Sequence, residues 1–321
     1  MSFRHLSTIA AAPRFSPTLS AVPELPDVTV YVERILALFG GRRLDAVRIK
    51  SPFVVRTYEP PIQSLVGRTL TNTFSVGKRI VLEFEPELYV VVHLMIAGRF
   101  HLKERSVALG KVTLLAFDFE NQTMHLTEAS SKKRASVHVF ATREEVQSLA
   151  RGGVEPLTAT FAEFKEALDF ENHTLKRTLT DPRIVSGVGN AYSDEILHRA
   201  QLSPMKRTKD LNEDDAQRLY EAMQSTLTEW VDRLRADSQA GFPEKVTAFR
   251  PEMAVHGKYN HPCPVCGTKV QRIVYAENEC NYCPTCQTGG KLLADRALSR
   301  LLKEDWPKTL EELEERKTPR V

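Results

Sequence analysis

Apolar residues recur at Val28, Val32, Ile35, Leu36 and Phe39, and two glycines follow at Gly40 and Gly41. This spacing predicts one amphipathic helix closed by a glycine stop. Short β-rich runs come next, at 44–49, 53–57, 68–75, 79–85, 88–95, 98–103, 112–119, 123–127 and 136–140. Their length and spacing predict an all-β sandwich or barrel-like layer. After about residue 142 the character changes. Residues 143–150, 161–168, 173–180, 189–200, 212–236 and 292–303 read as helices. Residues 237–258, with Gly241, Pro243 and Pro251, read as a loop. No internal repeat is visible. The pattern predicts an α+β multidomain chain: a leading helix, an N-terminal β-sandwich, a helical region and a small C-terminal module.

Composition adds bounds. At 321 residues, 42% hydrophobic and 26% charged, the chain suits two or three globular domains. No run approaches the ~18 apolar residues of a membrane helix. The net charge of +3 hides an uneven distribution. The end of the chain is acid-rich, at Glu304, Asp305, Glu311, Glu312, Glu314 and Glu315. Residues 172–209 are basic, at Lys176, Arg177, Arg183, Arg199, Lys206, Arg207 and Lys209. That local excess suggests an anionic partner.

All five cysteines lie between Cys263 and Cys286. Cys263-Pro264-Val265-Cys266 and Cys283-Pro284-Thr285-Cys286 are two C-x2-C knuckles sixteen residues apart. Four thiolates satisfy tetrahedral zinc, and a C-x2-C turn lets two sulfurs converge on one ion. The residues between, including Val270, Ile273, Val274 and Tyr275, suit a β-hairpin. Cys280 also forms a legal knuckle with Cys283. The repeated Cys-Pro-x-Cys form favours Cys283 and Cys286 and leaves Cys280 a spare thiol. A closed four-sulfur site makes one Zn2+ structural.

Asp181 to Tyr192 joins two helical patterns. Gly187 and Gly189 permit close backbone approach, and Asn190 opens the next helix. Its amide, with free N–H groups and the helix dipole, suits a phosphate. A glycine C-cap followed by an asparagine N-cap explains the same residues. The adjacent Lys176, Arg177 and Arg199 favour nucleic acid.

Pro23-Glu24-Leu25-Pro26-Asp27-Val28 changes meaning with the start of the chain. A terminal proline carries a nucleophilic secondary amine; an internal one carries an amide. Residues 1–22 hold Arg4, His5, Arg14, six Ser/Thr and no acid. They read as a disordered tail, as a transit peptide, or as upstream sequence ahead of a true start at Val22.

Together these stretches resemble the formamidopyrimidine-DNA glycosylase (Fpg/Nei) family. Pro23 to Val28 resembles its N-terminal signature, and Gly77-Lys78-Arg79 its catalytic-lysine loop. Gly187 to Glu195 resembles its helix–two-turn–helix, and Pro262 to Gln287 its zinc finger. The likeness covers roughly residues 23–290. It implies excision of oxidised or ring-opened bases from duplex DNA, with the target nucleotide flipped out. Cleavage then follows at the abasic site through a Schiff base, by β-elimination and, as an open question, a second, δ, step. By position, Pro23 is the nucleophile, Glu24 the neighbouring acid/base, and Lys78 a phosphate contact that assists proton transfer. Asn190, Lys133, Arg134 and Lys176 are the expected DNA contacts, and Cys263, Cys266, Cys283 and Cys286 the zinc ligands.

The chain departs from the family pattern in five places, one being the lesion-covering region 237–258 with Phe242, Phe249 and His256. Asn278 stands where the finger usually carries an arginine, so the δ step is in question, with Arg272 a candidate substitute. Met95 or Ile96 must fill the hole left by the flipped base. Ser131-Lys132-Lys133-Arg134 replaces the usual arginine–phenylalanine wedge. Asp27 shortens a customary glutamate. The expected divisions are 1–22 as an extension, 23–145 as the catalytic sandwich, 146–258 as the helical DNA-binding region, 259–290 as the zinc finger and 291–321 as a helical tail. The expected partner is damaged double-stranded DNA, bound by a monomer in the cytoplasm or nucleoid, or in an organelle if residues 1–22 are a presequence. The alternative is a non-catalytic binder of damaged DNA, which holds if those residues stay attached.

Overall fold

The computed structural model describes residues 22–317 except 106, 239–240, 245, 248, 276–277 and 295–306. The leading helix α1 spans Leu25–Phe39. Val28, Tyr31, Ile35 and Phe39 form its buried stripe, each at most 1% exposed. Pro26 sits in its first turn, where the missing N–H costs nothing. Gly41 takes the positive φ of +75° needed to turn into the first strand.

Eight strands follow: β1 (Leu44–Ile49), β2 (Leu70–Val76), β3 (Arg79–Phe84), β4 (Leu88–His93), β5 (Gly98–Glu104), β6 (Thr113–Phe119), β7 (Gln122–Glu128) and β8 (Ser136–Phe140). They form two four-stranded sheets, ordered β1-β6-β7-β5 and β2-β3-β4-β8, with antiparallel pairing throughout. Alternate residues of each sheet face a shared core that includes Leu82, Phe84, Val90, Phe100, Phe117 and Leu126, with α1 packed on it. The strand expected at 53–57 does not form. Residues Pro52–Val54 make a 3-10 turn, because Pro52 cannot donate to a ladder. The segment then runs beside β8 through one bridge, Val55 to Val137.

The helical region holds α2 (Arg143–Gln147), α3 (Phe161–Leu168), α4 (Leu175–Thr180), α5 (Asn190–Arg199) and α6 (Glu213–Ser238). Thr160 and Glu163 close a reciprocal capping box at α3. Phe164, Leu179, Tyr192, Leu219, Met223 and Leu227 anchor a second core. Strands β9 (Gln271–Tyr275) and β10 (Asn278–Tyr282) form the hairpin between the cysteine knuckles, and α7 (Pro284–Thr288) follows it. A last helix, α8, spans Leu310–Lys317. Of the helix expected at 292–303, residues 295–303 lie outside the described residues, and 292–294 take no regular structure.

Helix α5 is the hub. It packs on α4, α6, β10 and α7. Leu25 donates its N–H to the Gly187 carbonyl at 2.9 Å, joining the start of α1 to the turn that precedes α5.

Candidate active site and metal centre

Glu24 is only 2% exposed, yet it carries a carboxylate. The N-terminus of α5 explains how. Gly189 N donates to Glu24 Oε2 at 2.6 Å, Ala191 N to Oε1 at 2.9 Å, and Tyr192 N to Oε2 at 3.4 Å. The free N–H groups and positive end of a helix dipole are well matched to one buried carboxylate. At the helix start where a phosphate is expected, three N–H groups are thus engaged by Glu24. Asn190 is occupied as well. Its side-chain Nδ2 donates to the Glu279 carbonyl at 2.9 Å, fastening the β10 hairpin to α5.

Lys78 lies on the two-residue turn between β2 and β3, where Gly77 takes φ +58°. Its amine reaches the same backbone from the sandwich side. A Cβ built on Gly189 would lie 2.4 Å from Lys78 Nζ and 2.5 Å from Glu24 Cδ. Gly189 is thus required for its lack of a side chain; its φ of −131° is ordinary. Burial pushes the Lys78 amine below the usual lysine range, with Glu24 and Asp27 opposing the shift. A lysine so placed is suited to passing protons rather than only pairing with phosphate.

Asp27 is fully enclosed. Its Oδ2 accepts the Glu24 N–H at 3.1 Å, and Arg250 Nη2 stands 3.5 Å from its Oδ1. Burial pushes its carboxyl up to about 6 despite that hydrogen bond and Arg250. Asp27 Oδ1 and Arg250 Nε are both buried without a hydrogen-bond partner. They border a cavity of about 460 Å³ between α1 and the end of α6, lined also by Phe242, Glu244 and Val246. The segment that holds these three is fixed over α1 by Arg34 Nε to the Gly241 carbonyl, by Arg99 Nε to the Val246 carbonyl, and by Phe242 against Tyr31. At its far end Glu195 accepts the N–H groups of Ala254, Val255 and His256 at 2.8–2.9 Å. Nothing in the sequence pattern marks this use of Glu195, because its partners are backbone atoms.

Lys176 corrects the sequence reading. It was expected on DNA, but it is 6% exposed. Its amine donates to Asp194 Oδ1 at 2.5 Å, the Asn190 carbonyl at 2.7 Å and Ser193 Oγ at 2.8 Å. Asp194 in turn accepts from His256 Nδ1 at 2.8 Å and Asn281 N at 3.1 Å. Burial works against ionisation of Asp194, but Lys176 and then His256 outweigh it and hold the carboxyl below its ordinary value. This is an internal ion pair joining α4, α5 and the hairpin. Helical periodicity alone could not distinguish it from a surface lysine.

Lys133 and Arg134 sit on the exposed β7–β8 loop. Buried Glu128 holds that loop: its carboxylate accepts the N–H groups of Arg134 at 2.8 and 3.0 Å and of Ala135 at 3.1 Å. Lys133 Nζ donates to the Glu128 carbonyl. The Arg134 guanidinium has no partner among the described residues. Pro23 is buried and lines neither described cavity near the site.

The sulfurs of Cys263, Cys266, Cys283 and Cys286 all lie within 4.8 Å of one another. Cys263 and Cys286 are 3.9 Å apart, and Cys266 and Cys283 are 3.4 Å apart. A tetrahedral ion with bonds of about 2.3 Å needs sulfurs roughly 3.8 Å apart, so the four fit one metal ion. His198 Nε2 of α5 stands 3.2 Å from Cys263 Sγ, placed to donate an N–H to a thiolate. Burial holds that imidazole below its usual pKa. Cys280 is outside the cluster, buried beside Ile273 and Tyr282, and burial pushes its thiol well up. Arg272 is committed to Glu279 Oε2 at 3.1 Å and to the face of Tyr259 at 4.3 Å.

Comparison with known proteins gives a consistent picture. Residues 22–134 match the formamidopyrimidine-DNA glycosylase N-terminal domain, and residues 153–239 match the formamidopyrimidine-DNA glycosylase H2TH domain. The chain is 32% identical to the formamidopyrimidine-DNA glycosylase of Thermus thermophilus over 279 residues, covering 84% of this chain and all of the relative. It is 28% identical to the Listeria monocytogenes enzyme of the same name, covering 83% of this chain and all of that one. A solved structure of the Lactococcus lactis protein with DNA containing an oxidised pyrimidine superposes with a TM-score of 0.74 and 25% identity, covering 83% of this chain and all of the other. A second, with abasic-site DNA, gives 0.74 at 23% identity, covering 83% of this chain and 99% of the other, which is a likeness of fold.

Proposed function

The chain belongs to the formamidopyrimidine-DNA glycosylase family, and from that premise we propose that it excises oxidised or ring-opened bases from duplex DNA and then cleaves the strand at the abasic site. The observation that carries this reading is the meeting of Glu24 and Lys78 at Gly189, next in sequence to Pro23. An amine, a carboxylate and a proline one residue away make a set for Schiff-base chemistry.

The working form begins at Pro23, and the family match that starts at residue 22 supports this. A terminal α-amine titrates near ~8 and is substantially unprotonated at neutral pH. Its lone pair attacks C1′ of the flipped nucleotide as the C1′–base bond breaks. A proton delivered to the base allows it to leave, and the sugar ring opens as the iminium forms. Loss of a C2′ proton then expels the 3′ phosphate, which is the β-elimination. Glu24, held rigid by the α5 N–H groups, steadies cationic charge on the sugar and passes a proton. Lys78, with its lowered pKa, assists proton transfer and contacts phosphate. Asp27 Oδ1 and Arg250 Nε, neither with a hydrogen-bond partner, offer an acceptor and a donor to the everted base in their cavity.

The second elimination needs positive charge beside the remaining phosphate. Asn278 supplies none, and Arg272 is already paired with Glu279. The β-product therefore dominates. The four cysteines hold one Zn2+, which fixes the hairpin and takes no part in the chemistry. Lys133 and Arg134 meet the DNA from the β7–β8 loop, and one chain acts on one duplex.

Borohydride reduction tests the reading. A chain that starts at Pro23, obtained by Val22→Met and removal of the initiator, should give a covalent adduct with duplex carrying an oxidised base or an abasic site. The chain retaining residues 1–22 should give none. No adduct from the Pro23 form on any such duplex refutes the assignment.

A further inference from the structure

A cavity of about 450 Å³ lies on the far side of Lys78, between the β2–β3 turn, residues 149–155 and the turn before α5. Its walls carry an excess of positive charge. Arg79 is half-buried there, and among the described residues the one acceptor it reaches is the Leu149 carbonyl, at 3.4 Å. Arg151, an exposed neighbour on the same cavity, has no hydrogen bond or ion pair among the described residues. Burial holds the Arg79 guanidinium below its usual pKa, and the Arg151 charge adds to the shift.

The carboxylates on the same walls do not answer that charge. Asp181 is taken by Arg183, with Nη2 to Oδ2 at 2.6 Å. Glu155 makes no ion pair with either arginine. A half-buried guanidinium beside a second one, with neither matched by a carboxylate, is a standing cost to the fold unless an anion offsets it. Planar guanidinium donors suit phosphate oxygens in particular. Gly152 has open space where a side chain would stand, so a bulky anion can come close.

We propose that Arg79 and Arg151 form a phosphate clamp, distinct from the Pro23–Glu24–Lys78 group, that grips one backbone phosphodiester of the damaged strand. The proposal rests on the DNA-repair reading above. The clamp shares Lys78 as a wall with the reacting group, so it fixes the strand close to the sugar under attack.

The test uses the Pro23-starting protein and duplexes carrying a tetrahydrofuran abasic analogue. Single phosphates of the damaged strand are replaced one at a time by neutral methylphosphonate. Arg151→Ala should weaken binding about tenfold and lower the salt slope by roughly one phosphate. At one position the methylphosphonate should weaken wild type about tenfold and leave Arg151→Ala unchanged. Arg79→Ala should behave likewise at that same position. If it fails to fold, Arg79→Lys, which keeps charge but loses the planar fork, should show a smaller loss at that position. The clamp is wrong if every replacement costs the variants what it costs wild type, or if their salt slopes match. Wild type serves as the separate check. An adduct on borohydride reduction with no arginine–phosphate coupling removes the clamp alone. Coupling without any adduct removes the glycosylase assignment and leaves the clamp standing.

Discussion

The backbone N–H of Gly189 donates to the Glu24 carboxylate at 2.6 Å across 165 residues of sequence. It joins the residue beside the proposed nucleophile to the start of α5, so the sandwich and the helical region meet at the reacting group. Any side chain at 189 intrudes on both Glu24 and Lys78. Gly189→Ala should therefore lower stability by about 1–3 kcal/mol, as overpacking does. It should also cut base excision by at least tenfold, with abasic-DNA binding less affected. Urea melts and single-turnover kinetics together check this; full activity in the alanine variant would mean that the contact is soft.

Asp27 gives stability a definite pH dependence. Its folded pKa of about 6 lies above its ordinary value of 3.8, so the folded state holds this proton more tightly than the unfolded one. The contribution is fully present below pH ~4 and is lost as pH rises through 6. Across that window the effect is on the order of 3 kcal/mol. Asp27→Asn should flatten this part of the stability–pH curve, read by urea midpoints from pH 4 to 7.5. An unchanged slope would show that Asp27 ionises normally in the folded chain.

Lys176 separates a structural lysine from a DNA-binding one. Lys176→Met leaves Asp194 buried without its cation, and removing one member of such a pair costs about 3–5 kcal/mol. Denaturant midpoints should fall sharply, while the salt slope of DNA binding at a temperature where the variant is folded stays at the wild-type value. A slope lowered by one phosphate, with stability intact, would restore Lys176 to the DNA interface.

The cysteine cluster predicts which thiol is dispensable. Cys280→Ser should retain one metal ion per chain by elemental analysis, whereas Cys283→Ser should lose it. His198→Ala should weaken metal affinity about 10–100-fold, since it removes the N–H aimed at Cys263. Metal loss from the Cys280 variant would redraw the ligand set.

Much of the architecture was legible because it depends on local period and turn chemistry. Strands β1 and β8 and helix α3 match the ranges read from sequence, since apolar alternation and a Thr–Glu cap are written into neighbouring residues. The cysteine knuckles were legible for the same reason: two sulfurs three residues apart face one point whatever surrounds them. The stretch at 53–57 misled because Val54 and Val55 favour strands while Pro52 removes the donor that a ladder needs.

By itself the sequence determined the order of elements, the four thiolates and the likeness of Pro23, Glu24 and Lys78 to a known catalytic set. Only the tertiary structure decided which charges face which partners. It gave three N–H groups at the α5 start to Glu24, buried Lys176 against Asp194, and left Arg79 and Arg151 without a carboxylate among the described residues. The reason is physical. A side chain's charge is fixed by its identity, but its solvation and its counter-ion come from residues far away in the chain, and those set whether it reacts, binds or holds the fold together.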